Sequence, residues 1–138
     1  MEERKQIIDA LVNRLQTLSQ FKKVLKTYKP FELFKSFELP VICILNGDES
    51  RKYEGSRIIA EFTVILRIIL YSETNLTDEL NDLIGAVCDK IEEDLYLDGL
   101  SCFPMQITTI ETSQGFLSPY EIADLHLVVF YTKHCNYF

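Results

Sequence analysis

Arg57-Ile-Ile-Ala-Glu-Phe-Thr-Val-Ile-Leu-Arg-Ile-Ile-Leu-Tyr71 decides the reading of this chain. Ile58, Ala60, Phe62, Val64, Leu66, Ile68 and Leu70 are apolar at every second position without a break. Side chains alternate between the two faces of a strand, so this period-two run predicts a strand with one wholly buried face. The other face carries Glu61, Thr63 and Arg67 among Ile59, Ile65, Ile69 and Tyr71. At about 3.3 Å per residue the strand would reach roughly 50 Å, well past the usual ~17–20 Å. Part of it must bend, or project beyond the body of the domain.

The flanking sequence supplies its partners. Residues 39–45 predict a buried strand with Pro40 near its start, and Asn46-Gly47-Asp48-Glu49-Ser50 predicts a turn. Residues 2–19 predict a helix, since Ile7, Ile8, Leu11, Leu15 and Leu18 recur at three- and four-residue steps. Residues 21–28 fit either a continued helix, through Phe21, Val24, Leu25 and Tyr28, or a short basic edge strand. Pro30 breaks the chain, and 31–37 forms a connector with one helical turn.

Residues 77–97 predict a second helix whose stripe is Leu80, Leu83, Ile84, Val87, Cys88, Ile91 and Leu95. Thr77 is its expected N-cap, and Asp98-Gly99 its stop. Residues 102–111 predict a further strand, 112–115 a turn, and 122–132 a last strand with Ala123, Leu125, Leu127, Val129 and Tyr131 on one face. The tail from Lys133 reads as loose. The expected fold is an α+β domain over 1–138, with a mixed, mainly antiparallel sheet, two helices on one face and a long projecting β-hairpin.

Composition agrees with one globular domain. The 138 residues are 47% apolar and 25% charged, with a formal charge of −7. A chain of this size holds a sizeable core unaided, and its balance excludes disordered, collagen-like and coiled-coil classes. It lacks an apolar run long enough for a membrane helix. Met1-Glu2-Glu3-Arg4-Lys5 leads directly into an amphipathic pattern, so an aqueous, intracellular-type compartment without a signal peptide is expected. The acidic total argues against nucleic acid and anionic membrane as partners. Along the chain the charge is uneven: residues 1–38 carry +3, 39–74 carry −1, and 75–138 carry −9. Such segregation suits head-to-tail self-association; the alternative is that the two helices neutralise each other within the monomer. Cys43, Cys88, Cys102 and Cys135 lack zinc-site spacing and read as reduced core thiols, a two-disulfide framework being the alternative.

Motifs for catalysis or phosphate binding are missing. Asp124 and His126, at i and i+2, share a strand face, as an acid/base pair, half a metal site, or a solvated or interface surface. His134 and Cys135 are adjacent and point to opposite faces, which does not build a nucleophile pair. Asp89, Glu92 and Glu93 offer either a shared cation site, a solvated helix face or an electrostatic docking surface. A hydrolase using Cys102 or His126 is the remaining catalytic alternative, and no enzyme activity, metal or cofactor is expected.

The segment from Ile107 to Tyr131 resembles the closing segment of phage tail terminator, or tail completion, proteins of the lambda type. It carries Ser113-Gln114-Gly115-Phe116-Leu117-Ser118-Pro119, then Ala123, and a final strand ending in Tyr131. Leu39-Pro40-Val41-Ile42-Cys43-Ile44, the charged loop with Glu49 and the strand from Phe62 to Leu70 are similar to that family too. The turn has Gln114 where the family pattern has an acidic residue before the glycine. The resemblance covers nearly the whole chain. It implies a minor tail protein of a phage or prophage: a homo-hexameric ring that caps the finished tail tube and offers a surface to a head-completion or neck protein. It further implies assembly in the host bacterial cytoplasm, residence in the virion tail, and no enzyme activity or cofactor. Arg57, Glu61, Thr63 and Arg67 on the long strand, with Asp89, Glu92 and Glu93, are the expected subunit-interface residues. A small-molecule-binding α+β regulatory module, or a neighbouring neck or head–tail joining protein, is the alternative.

Overall fold

The computed structural model describes residues 3–134. Helix α1 (Glu3–Leu15) is followed by β1 (Lys23–Leu25), two 3-10 turns (Phe31–Leu33 and Ser36–Glu38), β2 (Val41–Glu54) and β3 (Arg57–Tyr71). Helix α2 (Leu76–Glu92), β4 (Gln106–Thr112) and β5 (Tyr120–His134) complete the order. The strands make one five-stranded sheet, β1-β2-β3-β5-β4. β1 runs parallel to β2, and the other neighbours are antiparallel.

Both helices cover one face. Ile7, Leu11 and Leu15 of α1, with Leu80, Leu83, Val87 and Ile91 of α2, pack on Phe62, Val64, Leu66 and Ile68 of β3 and on Leu125, Leu127 and Val129 of β5. Every one of these side chains is removed from water, which stabilises the fold by about 1.5–3 kcal/mol for each large one. The fold is therefore the α+β arrangement expected, and the alternation in β3 does separate a buried face from a mixed one.

The opposite face is covered at one end only. There Phe34 and Leu39 pack with Val41, Cys43 and Ile69, supported by Leu25, Phe31, Tyr71 and Tyr120. Residues 26–39 thus form a strap across the sheet. Of the two readings of 21–28, the edge strand is the one adopted: Val24 pairs with Ile42 and turns toward the helix-side core, while Leu25 faces the strap.

Several expected boundaries are corrected. The first helix stops at Leu15, not 19, and the Thr17 hydroxyl donates to the Arg14 carbonyl (2.8 Å) in the turn that follows. The second helix stops at Glu92, not 97. The Asp94 carboxylate accepts the backbone N–H groups of Tyr96 (3.0 Å) and Asp98 (2.8 Å), stabilising a turn in place of further helix. Its N-cap is Asn75 in place of Thr77. The strand expected over 102–111 starts at Gln106, because Ser101 clips the preceding segment onto β5: its hydroxyl donates to the Phe103 carbonyl (2.6 Å) and accepts from the Phe130 N–H (3.1 Å). Lys133 and His134, read as loose tail, belong to β5. Cys135 lies outside the described residues.

Candidate functional site

The largest correction falls on Asn46-Gly47-Asp48-Glu49-Ser50, which is not a turn. β2 runs straight through it, and the hairpin closes later, at Gly55 (φ +62°) and Ser56. Asn46 pairs with Val64 and Glu49 with Phe62, so β2 carries one residue more than β3 across this stretch. That is a β-bulge, which uses the same small and polar residues as a turn. Gly47 is required by close approach: a Cβ there would sit 2.5 Å from the Thr63 carbonyl oxygen.

One extra residue reverses which positions face the helices. Before the bulge Ile42 and Ile44 point to the helix-side core; after it Glu49 stands opposite Phe62 on that side. Glu49 thereby meets Tyr131, whose hydroxyl donates to it (2.6 Å), and Arg51 (Nε 2.6 Å), with Arg4 4.0 Å away and stacked over the Phe62 ring at 4.3 Å. The Glu49 side chain is only 9% exposed. Burial is the largest single influence on it and works upward. The hydrogen bonds from Tyr131 and Arg51, with the charges of Arg51 and Arg4, outweigh it and hold the carboxyl below its ordinary value of 4.5. Burial first, then the bond to Glu49, pushes the Tyr131 phenol up to about 12.

The sign of each effect follows by linkage. Glu49 stabilises the fold above pH 4.5, and that stability is lost as the pH falls through its depressed value. Tyr131 stabilises below its ordinary value of 10, and that part is lost between 10 and about 12. Tyr131→Phe is expected to cost about 1.5–3 kcal/mol at neutral pH, as for a hydrogen bond to a charged group. It should also flatten the stability profile on the acid limb. Urea denaturation from pH 3 to 8 measures both; a variant profile that runs parallel to the wild type would contradict the assignment to this pair.

On the far face of the sheet the expected interface residues of β3 share one side, with Arg57, Glu61 and Thr63 beyond the strap and Arg67 against it. Arg57 pairs with Glu54 (3.2 Å), and Glu61 accepts from the Ser50 hydroxyl (3.4 Å). Thr63 is half-buried next to Val128 of β5. Arg67 makes a two-pronged contact with Asp124 (2.8 and 2.9 Å), which raises its pKa, and stacks on Tyr28. Asp124 is thus committed to Arg67 and not to His126, whose Nε2 lies 2.7 Å from Glu111. Ile59, Ile65, Val128 and Phe130 lie half-buried among these polar groups. Phe103, 51% exposed, stands edge-on to Phe130.

Asp89, Glu92 and Glu93 are not brought to that surface. They lie exposed on α2, on the other side of the sheet, with Glu93 paired to Lys90 (3.2 Å). Among the described residues no group of three or more His, Cys, Asp and Glu could hold a metal ion. Of the cysteines expected in the core, Cys43 is buried and Cys88 half-buried, and burial raises both thiols; Cys102 is exposed, and all three are free. No family model matches this chain, and no curated protein matches it at a significant level.

Sequence reading missed Glu121. It is 5% exposed, and its carboxylate takes the Ser113 hydroxyl and the Gly115 N–H (3.1 Å), bracing the loop that returns the chain into β5. A glutamate in a strand beside Ser-x-Gly was the available signal. A groove of about 480 Å³ between α1 and the β1–β2 edge is lined by Arg4, Lys5, Ile8, Asp9, Lys26 and Asn46, with Lys26 paired to Asp9 (2.8 Å).

Proposed function

We propose that this chain is a structural assembly protein that works as a ring of identical copies, as the resemblance to phage tail terminators implies. In that role the ring, of six copies, caps the finished tail tube and presents its other side to a head-completion or neck protein. The supporting observation is the three-stranded ribbon of β2, β3 and β5. β3 is about 50 Å long at a strand's rise per residue, against about 20 and 26 Å for α1 and α2 at a helix's rise. The side of β3 that faces the helices is buried from Ile58 to Leu70, and past it residues 51–57 at the hairpin tip are all exposed. The far side of the same ribbon carries Ile59, Val128 and Phe130 next to exposed Phe103, apolar surface of the kind that contacts between subunits use. Arg57, Glu61 and Thr63 border it as polar rim.

Light scattering is expected to give a particle of about six times the 16.1 kDa chain mass, dissociating as salt rises. Removing the gene from a phage should leave tails of uncontrolled length. A chain that stays monomeric at high concentration and low salt, with normal tails in its absence, would overturn the reading.

A further inference from the structure

The strap and the helix layer lie on opposite faces of the sheet. Residues 22–39, from the lysines that lead into β1 through the strap, carry five lysines against two glutamates, and α2 carries five carboxylates against one lysine. Lys23 follows Val41 onto the far face through the β1–β2 register, and Lys29 and Lys35 stand on the strap itself, over the rings of Phe34 and Phe37. The Lys35 N–H donates to the Glu38 carboxylate (2.6 Å), and this bond first, then the charges of Lys29, Lys35 and Lys23, holds that carboxyl below its ordinary value. Exposed apolar surface is interleaved with them: Tyr28 is 60%, Leu33 63% and Phe37 69% exposed. This combination fits an acidic partner that also offers backbone or apolar contact.

The same chain carries that complement. Asp78, Asp82, Asp89 and Glu92 recur at three-, four- and seven-residue steps, so they fall on one face of α2, and all are exposed. Gly85 lies in the middle of this stripe with open space beyond it, leaving the helix backbone approachable. Within one chain the two surfaces cannot meet, because the sheet stands between them. Among the described residues Arg14 joins the basic and acidic segments within one chain, reaching Asp94 (3.3 Å) and Asp98 (3.9 Å) on the helix side.

We propose that the basic, aromatic strap of one copy docks the acidic outer face of α2 of a second copy. The contact is heterologous: unlike surfaces meet, each copy keeps one of each free, and repetition closes a ring or extends a chain. The proposal rests on the reading that copies of this chain assemble. The α2 of a second copy is a better occupant than a nucleic acid or an anionic membrane: both face the chain's formal charge of −7 with anionic surface throughout, whereas a second copy also brings a basic strap of its own.

Two charge-reversed chains test it: one with Lys23→Glu, Lys29→Glu and Lys35→Glu, the other with Asp82→Lys, Asp89→Lys and Glu92→Lys. Circular dichroism checks that each is folded. Each alone places like charge against like, so its self-association should weaken by more than about a hundredfold. Mixed in equal amounts, every reversed surface finds its complement, and light scattering should show assembly restored. Assembly that survives in both separate variants would overturn the strap–α2 contact and leave the assembly reading standing. A monomeric wild type would overturn both. If the strap variant assembles like the wild type but loses binding to oligo(dT) or anionic vesicles, the strap serves another anion and the proposal falls.

Discussion

Phe62→Ala should lower stability by about 3–5 kcal/mol, the range for removing a large aromatic from a packed core. Phe62 is fully buried, and it joins three parts of the molecule. It pairs across the sheet with Glu49 and Val129, and its ring carries the Arg4 guanidinium of α1. Truncation therefore leaves a cavity at the base of the ribbon and removes the surface on which Arg4 lies. Against a typical total of about 5–15 kcal/mol, this is a large fraction. The urea midpoint should fall accordingly, and Phe62→Leu should recover much of the loss. A cost under about 1 kcal/mol would mean that the site collapses around the truncation, in a core less closely packed than this one.

Gly47→Val is expected to destabilise the chain at the bulge. Its Cβ would meet the Thr63 carbonyl oxygen at 2.5 Å, and that atom is backbone in the paired strand, so no side chain can swing away. Overpacking of this kind costs about 1–3 kcal/mol, and more where backbone must move. The consequence reaches past the site. If the bulge is lost, the distal half of β2 changes faces, and Glu49 leaves Tyr131 and Arg51. Thermal denaturation reads the loss, and the altered acid limb described for Tyr131→Phe should appear in the same variant. Unchanged stability together with an unchanged acid limb would show that the strands separate locally without altering register.

These two sites also mark where the sequence was legible. Phe62 belongs to an alternation that local geometry alone enforces, because consecutive strand residues must point to opposite faces. The four polar positions of β3 were placed on one face for the same reason. Asn46-Gly47-Asp48 reads as a turn because a bulge and a turn ask for the same residue types; what separates them is whether a partner strand continues alongside. Asp124 and His126 were correctly put on a common face, but their partners came from β3 and β4. Arg67 is 57 residues from Asp124 in the chain, and no periodicity links them. Glu121 was missed because a carboxylate in an alternating strand looks solvated until the loop that covers it is in place. Asp89, Glu92 and Glu93 read as an electrostatic docking surface alongside the β3 residues, and the sheet separates the two sets.

By itself the sequence determined the alternation of β3 and β5, the apolar stripe of each helix and the uneven charge, since all three follow from local sterics and from the order of residues along the chain. Only the tertiary structure decided that the basic strap and the acidic helix face stand on opposite sides of one sheet. That placement depends on residues 26–39 crossing beneath the strands while α2 crosses above them, packing choices made by Phe34 and Leu39 on one side and by Leu83, Val87 and Ile91 on the other. Charge that the sequence left free to cancel within the molecule is thereby held on opposite faces of the sheet.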